Sequence, residues 1–552
     1  MGKIFGTDGI RGLAIADLRR DEDTIERLLE QREFSCGLIQ LVGEALGVWL
    51  RPAGKGRPKV VIGWDNRPLN PQLAQALTVG LHLSGCHVTW VGECATPGLH
   101  ASLLKTGADA GCMITASHNP VSDSGIKVFD SQGYKTFPQN EKILEELMFQ
   151  LSAEERGSVD EERDSLAIPD AQIDGNSIHI DVIKSRLNPL KERFLGEGAL
   201  DSILPKEGLL LDSSMGSAHS WLAEWMTESF VSTTELSTEC EALNEGCGAG
   251  ELSPTLTMSW DELSAGEHEH VLFNTLAEKM QGNNWSPGLI IAAALDGDGD
   301  RCLLIRVDSQ NTGLEVVDGD LMLDRLVKAV YNNDSLENGI IATSIESDLS
   351  LLASLQELNQ ELICAETAVG DRWLAAALRP KTDAIDKLLQ SKIEPVRIGS
   401  EDSGHILMTT PHPELKDKWG LVGDGVITLI AAICAIANTT EIEEFAAGWK
   451  SRRSISPSDR SKWDGENENA DLILTILKQK YPDVSWITEK VDGEDNLLLA
   501  KGILQNHQCS VAVRNSGTQA KTSISIRTTG IELNTLIHDL IVALEPKLKI
   551  SQ

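Results

Sequence analysis

Lys59-Val-Val-Ile-Gly63, His87-Val-Thr-Trp-Val-Gly92 and Ala110-Gly-Cys-Met-Ile-Thr115 are three short apolar runs, and between the first two lies an apolar-periodic stretch from Leu73 to Leu83. Short runs rich in β-branched residues and closed by glycine read as strands, and the periodic stretch reads as a helix. Strand, helix, strand and, after another short helix, a further strand is the order of parallel strands joined by crossover helices. In such sheets ligands gather at the loops beyond the strands' carboxyl ends.

The unit recurs outward along the chain. Gly208 to Asp212 followed by Ala218 to Met226 is strand then helix, and Leu289 to Leu295 is another buried strand. Gly339 to Thr343, Leu349 to Leu358 and Leu362 to Glu366 repeat the theme; the pattern is shared, the sequence is not. Beyond about residue 440 the order changes to a helix near Leu472 to Lys480, strands at Asn496 to Lys501, Cys509 to Val513 and Ser523 to Arg527, and a closing helix. The expected fold class is α/β: three similar α/β domains with mixed, largely parallel sheets (1–190, 191–308, 309–440) and a C-terminal α+β domain (441–552) around a central cleft. Three charged stretches, Arg19 to Arg32, Ala153 to Asp164 and Ser253 to Trp285, read as solvated faces or loops.

The formal charge of −34 excludes a surface built to neutralise nucleic-acid phosphates or to adsorb on anionic lipid. A phosphate site in such a chain has to be locally basic. Ten cysteines are scattered without a C-x-x-C pair, which points to thiols in a reducing compartment and places the protein in the cytoplasm. Met1 to Gly12 lacks the apolar core of a signal peptide, and Val426 to Ala437 is too short to span a bilayer and reads as a buried helix.

Four stretches could carry chemistry. Thr115-Ala-Ser-His-Asn-Pro120 follows a strand, which puts Ser117 on a loop at the carboxyl end, exposed as a nucleophile needs to be; alone it also reads as an ordinary turn. Asp296-Gly-Asp-Gly-Asp-Arg301 closes another strand, and alternate carboxylates with glycines between them can bend around one hard cation such as magnesium. A calcium EF-hand would want Gly and Glu where Arg301 and Val307 stand. In Arg514-Asn-Ser-Gly-Thr518, with Lys521 after it, Gly517 permits close approach to an anion and the hydroxyls and cations supply donors, although a plain hairpin turn uses the same residues. Gly399-Ser-Glu-Asp-Ser-Gly-His405 groups a carboxylate, a hydroxyl and an imidazole suited to sugar hydroxyls and to moving a proton.

Taken together and in this order, the motifs resemble those of the α-D-phosphohexomutases, most of all the bacterial phosphoglucosamine mutases. Ile4-Phe-Gly-Thr-Asp-Gly-Ile-Arg-Gly12, Ala116-Ser-His-Asn-Pro120, Ser124-Gly-Ile-Lys127, Asn244-Glu-Gly-Cys-Gly248, Asp296 to Arg301, Val317-Asp-Gly-Asp320, Thr367-Ala-Val-Gly-Asp-Arg372 and Gly423-Asp-Gly425 carry the likeness, which spans residues 2 to about 530. The resemblance implies that Ser117 is phosphorylated and, with Asp296, Asp298 and Asp300, holds Mg²⁺, and that Arg11, His118, Lys127 and Arg301 line that centre. It further implies that Glu401 and Ser403 grip sugar hydroxyls, that His405 stands near the reacting oxygen, and that Arg514, Ser516, Gly517, Thr518 and Lys521 hold the idle phosphate.

The implied activity converts glucosamine 6-phosphate to glucosamine 1-phosphate through a bisphosphorylated sugar, with a bisphosphorylated hexose as primer and a monomer or homodimer as the working form. A phosphomannomutase or phosphoglucomutase, or a non-catalytic sugar-phosphate-binding protein, are the alternatives. Ser400, Asp402, Asn515, Gln519 and Ala520 depart from the family pattern, and Asp402 could select a 2-ammonium group on the sugar.

Overall fold

The strand Lys59–Trp64 lies inside a seven-stranded sheet, flanked in parallel by the central strand Ala110–Ile114 and by His87–Glu93. The computed structural model that shows this describes residues 4–20, 23–51, 56–154, 162–280, 285–333, 336, 338–379, 388–516 and 520–550. The crossover helices Asn70–Leu83 and Thr96–Thr106 each begin with proline in the first turn, where no N–H is needed, and the second ends on Gly107 in the left-handed conformation. On the other side of Ala110–Ile114 the strand Asp123–Asp130 runs antiparallel, because the connection between them is too short for a crossover.

A six-stranded sheet follows, in which Leu209–Asp212 and Ile290–Leu295 are parallel and Ile290–Leu295, Cys302–Val307 and Gly313–Val317 form an antiparallel meander. It runs past the expected boundary at 308, since Gly313–Val317 pairs with the strand before it. In the third sheet, also six-stranded, Ile340–Ser344 lies next to the edge, parallel to both Ile363–Thr367 and Arg397–Ser400. The last sheet has five strands, all antiparallel, from Trp449–Ile455 through Thr522–Thr528 and His507–Asn515 to Ile487–Glu489.

One apolar core joins the second and third sheets through the helices Gly319–Asn333 and Gly425–Asn438. The latter is apolar on every side, with thirteen of its residues buried, which is why it reads in sequence as an uninterrupted hydrophobic run. Asp424 caps it by accepting the N–H groups of Val426 and Ile427.

Two of the three charged stretches are solvated faces of folded elements rather than loops. Asp23–Gln31 is a helix that buries Ile25 and Leu28. Thr257–Ser259 adds an edge strand to the second sheet, and Val271–Met280 is a helix whose Leu272, Phe273 and Leu276 are buried. In Asp23–Gln31 charged residues on the outward face outnumber a narrow apolar stripe at helical spacing, and the stripe decides the packing. Residues 21–22, 155–161 and 281–284 of these stretches lie outside the described residues.

Candidate active site

The turn after Ala110–Ile114 is built by groups outside it. Ser117 has φ 56°, the left-handed region that non-glycine residues avoid. Three partners fix it there. Thr115 Oγ1 accepts the Ser117 N–H at 2.8 Å and donates to Asp65. The buried Arg67 guanidinium donates to the carbonyls of Ser117, Asn119 and Asp123 at 2.9, 2.8 and 2.9 Å. From the second sheet, Asn244 Nδ2 donates to the Ser117 carbonyl at 2.8 Å. Neither Arg67 nor Asp65 stands in a motif; an Asp-Asn-Arg sequence just past the central strand was the available signal.

Ser117 is not exposed, contrary to expectation: 1% of its surface reaches solvent, because the aspartate loop closes over it from the second sheet. Its Oγ lies 3.0 Å from Asp296 Oδ2 and 2.8 Å from Asp298 Oδ1. Asp296 Oδ1 accepts the N–H groups of Asp300 and Arg301, so the loop curls around its own first carboxylate. Gly299, at φ 69°, supplies the reversal that a side chain would strain. The helix Thr96–Thr106 holds the loop from the first unit: Thr96 donates its N–H to the Asp298 carbonyl and its hydroxyl to Asp298 Oδ2.

The three carboxylates are buried, and one oxygen of each lies within 4.8 Å of the others. Lys127 enters this cluster most closely, 2.6 Å from Asp298 and 2.8 Å from Asp300, with His405 3.3 Å from Asp300 and Arg301 3.9 Å from Asp296. Burial, then Asp300 and Asp298, push the Asp296 carboxyl up to about 8. Burial opposes ionisation of Asp300 too, but Lys127 and His405 outweigh it and hold that carboxyl well below its usual value. Asp300 Oδ1 makes no hydrogen bond, its neighbour His405 Nδ1 lying 3.3 Å away. An all-oxygen, buried, hydroxyl-bearing set with surplus negative charge fits a hard divalent cation of the magnesium type.

The cluster backs onto a cavity of about 220 Å³ between the units. Of the residues singled out in sequence, Arg11, His118, Asp300, Arg301, Glu401, Ser403, His405, Arg514, Ser516 and Lys521 line it. Ser117, Lys127, Asp296 and Asp298 stand behind that wall, joined to it through Asp300. Gly517 and Thr518 lie outside the described residues. Arg11 donates to the Ala116 carbonyl and so reaches the serine turn from the amino-terminal strand. Burial, then Arg301 and Arg11, hold His118 well below the ordinary histidine value, which leaves it neutral. Burial would do the same to His405, but Asp300 and Asp371 lift it to about 10.

Three further groups close the cavity between the first and third units: Lys135 Nζ pairs with Asp8 at 2.6 Å and Asp371 at 2.8 Å. Asp8 and Asp371 sit within motifs noted in sequence, whereas Lys135 carries no local signal. On the opposite wall Arg452 joins Arg514 and Lys521, all from the last sheet. Asp402 lines the cavity, but Arg452 stands 3.1 Å and Lys450 3.6 Å from its carboxylate, so its charge is already matched.

A four-unit α/β protein with a serine hydroxyl against a carboxylate triplet, facing a basic wall, defines an enzyme of phosphoryl transfer. Residues 2–155 match the family model for phosphoglucomutase/phosphomannomutase α/β/α domain I, and residues 318–451 match that for domain III. The chain belongs to the phosphoglucomutase/phosphomannomutase family and is an intramolecular phosphotransferase, a phosphohexomutase of the isomerase class. Among curated relatives, the phosphoglucosamine mutase of Ligilactobacillus salivarius is 28% identical over 501 residues, covering 90% of this chain and 93% of that one. That of Clostridium acetobutylicum is 24% identical over 548 residues, covering 99% and 100%. Among solved structures, a phosphoglucomutase/phosphomannomutase family protein from Burkholderia thailandensis superposes with a TM-score of 0.61 at 18% identity over 99% of this chain and 97% of that one. The open form of Paramecium parafusin, a phosphoglucomutase, gives 0.58 at 15% identity over 99% and 94%.

Proposed function

We propose that this chain is a phosphoglucosamine mutase, interconverting glucosamine 6-phosphate and glucosamine 1-phosphate through phosphorylated Ser117 and a bisphosphorylated sugar. The observation that carries the reading is the Ser117 Oγ, 2.8 and 3.0 Å from two carboxylates of the triplet and buried behind a cavity of hexose-phosphate size. The names of the curated relatives support the amino sugar as substrate.

Phosphoryl transfer asks a protein mainly for alignment and charge stabilisation. Ser117, Asp296, Asp298 and Asp300 would hold Mg²⁺, which when bound neutralises charge on the phosphoryl group. Arg11 and Arg301 supply positive charge at the cavity side of the same loops, and Lys127 keeps Asp298 and Asp300 in place. Glu401 and Ser403 are set to take sugar hydroxyls; the Gly370 N–H, donated to Glu401 Oε1 at 2.7 Å, fixes the carboxylate. His405, seated between Asp300 and Asp371 and held protonated by them, is placed to donate to the reacting sugar oxygen.

Arg514, Ser516 and Lys521, with Gly517 and Thr518 of the same loop, take the idle phosphate. After the first transfer the bisphosphate turns around, so that the cradle and the transfer centre exchange phosphates and Ser117 is phosphorylated again. The reading divides the chain into four units, 1–190 with the serine, 191 through the strand Gly313–Val317 with the aspartates, from there to 440 with the sugar loop and 441–552 with the cradle, the last rotating to open and close the cleft. A bisphosphorylated hexose primes the serine. The site is cytoplasmic in this reading, in keeping with ten cysteines that are all unpaired.

A phosphomannomutase or phosphoglucomutase stands second, favoured by the names of the matching family models. A coupled assay with Mg²⁺ and a bisphosphate primer separates the two. Glucosamine 6-phosphate should give the highest kcat/KM; equal or higher values with glucose or mannose 6-phosphate would overturn the amino-sugar assignment. No turnover with any of the three would leave only sugar-phosphate binding.

A further inference from the structure

The anion cradle already contains an anion. Glu346, two residues past the strand Ile340–Ser344, is 8% exposed and lines the cavity. Its Oε1 lies 3.1 Å from Arg514 Nη2 and its Oε2 2.9 Å from Arg452 Nη2. Both guanidiniums belong to the last sheet, Arg452 on Trp449–Ile455 and Arg514 on His507–Asn515, while Glu346 belongs to the third. The Glu346 backbone N–H donates to Ser344 Oγ, which anchors the residue to its own strand end. Burial works against its ionisation, but Arg452 and then Arg514 outweigh that and hold the carboxyl at about 2. It is therefore an anion at any working pH.

A planar carboxylate offers a guanidinium the same paired acceptors as two oxygens of a phosphate. A phosphate that comes to Arg514 must therefore displace this carboxylate or share the arginines with it. We propose that Glu346 is a built-in competitor for the non-reacting phosphate: it holds Arg452 and Arg514 whenever the phosphate lets go, and so tunes how tightly the cradle grips. The inference rests on the reading of that wall as a phosphate cradle.

The arrangement suits a reaction whose intermediate has to turn around. Arg452 keeps Asp402 at 3.1 Å and Arg514 has Glu494 at 3.9 Å, but Glu346 is the carboxylate that touches both guanidiniums; without it they would be under-compensated and would hold the bisphosphate more firmly. A tethered carboxylate that returns to them lowers the cost of release. The dianionic phosphate still wins when present, through its greater charge and through Lys521 and Ser516 on the same wall.

The test is calorimetric titration of the full-length protein with inorganic phosphate, joined to steady-state kinetics. Glu346→Gln should bind phosphate at least tenfold more tightly, with KM and kcat both lowered, because the bisphosphate is gripped and turns slowly. Glu346→Asp keeps the charge and withdraws it by one methylene, and should shift each quantity in the same direction by less. If Glu346 merely positions the arginines, both variants bind phosphate more weakly and raise KM, and the proposal is overturned. Phosphate affinity within twofold of the parent in both variants also overturns it. Arg514→Ala tells the two levels apart: a tenfold loss of phosphate affinity there upholds the cradle even if Glu346 fails, whereas no loss removes the cradle itself.

Discussion

Lys127 shows how much of this site is electrostatic scaffolding. Its ammonium is 1% exposed, yet burial, which favours the neutral amine, is outweighed by Asp298, Asp300 and Asp8, and its pKa rises well above the ordinary lysine value. Removing one member of a buried charge cluster leaves its partners uncompensated, at a cost of about 3 to 5 kcal/mol. Lys127→Met should lose stability on that scale in chelator, and magnesium should restore part of it; denaturant titrations with EDTA and with Mg²⁺ measure both. An equal loss in the two conditions would mean that no cation sits among the aspartates. At this scale the sequence was legible where function clusters residues locally. Ser117, the aspartates and the loop from Glu401 to His405 stand in short glycine-bearing runs. Arg67, Lys135 and Glu346 escaped because each stands outside those glycine-bearing runs and takes its role from a partner far off in the chain: Ser117 for Arg67, Asp371 for Lys135, Arg514 for Glu346.

Helix Gly425–Asn438 aims the aspartate loop as well as filling the core. The Gly425 N–H donates to the Gly299 carbonyl at 2.9 Å, and a Cβ there would sit 2.5 Å from the Arg301 carbonyl oxygen and 3.1 Å from that of Gly299. Backbone cannot yield without shifting the loop. Gly425→Ala should therefore cut kcat on the order of 10²-fold, the effect of displacing reacting groups by about 1 Å, in a protein that still folds. Kinetics alongside circular dichroism check this, and an unchanged kcat would show that the helix does not set the loop. Elements with a clean period, such as Lys59–Trp64 and Gly425–Asn438, were readable to within a residue or two. Val271–Met280 was not, because this ten-residue, mostly apolar element is hidden between the acidic run Glu267–Glu269 and the turn-forming residues after it. The strand Trp449–Ile455 also went unread: Lys450, Arg452 and Arg453 break its apolar alternation, since that strand faces carboxylates rather than a core.

The whole molecule is held across its sheets by ion pairs as well as by apolar packing. Arg372 reaches from the third unit to the carbonyls of Gly6, Thr7 and Thr136 and to Glu141 in the first. Lys450 pairs with Asp318 and Asp320, and Glu444 bridges Arg306 of the second sheet and Arg325 of the joining helix. Burial raises the Glu444 carboxyl, but Arg306 and Arg325 overcome this and bring it from 4.5 to about 2. A folded value below the unfolded one gives stability that is complete above pH 4.5 and fades as pH falls toward 2. Glu444→Gln should thus melt below the parent at pH 7, with the gap narrowing only under pH 4.5; a gap that narrows toward alkaline pH instead would contradict the pairing.

This balance of many acidic residues with a few inward-facing cations also explains how a chain of net charge −34 can bring six Lys and Arg side chains to one cavity. The charge total was plain from composition, but which cations turn inward depends on four sheets meeting, and no local pattern encodes that. The central claim is that Ser117 carries the phosphoryl group, and phosphopeptide mass spectrometry of the purified protein after incubation with a bisphosphorylated hexose tests it most directly. The account predicts one phosphorylated site, Ser117, lost on addition of excess sugar monophosphate and absent from Ser117→Ala. Phosphate on another residue, or turnover retained by Ser117→Ala, would contradict it.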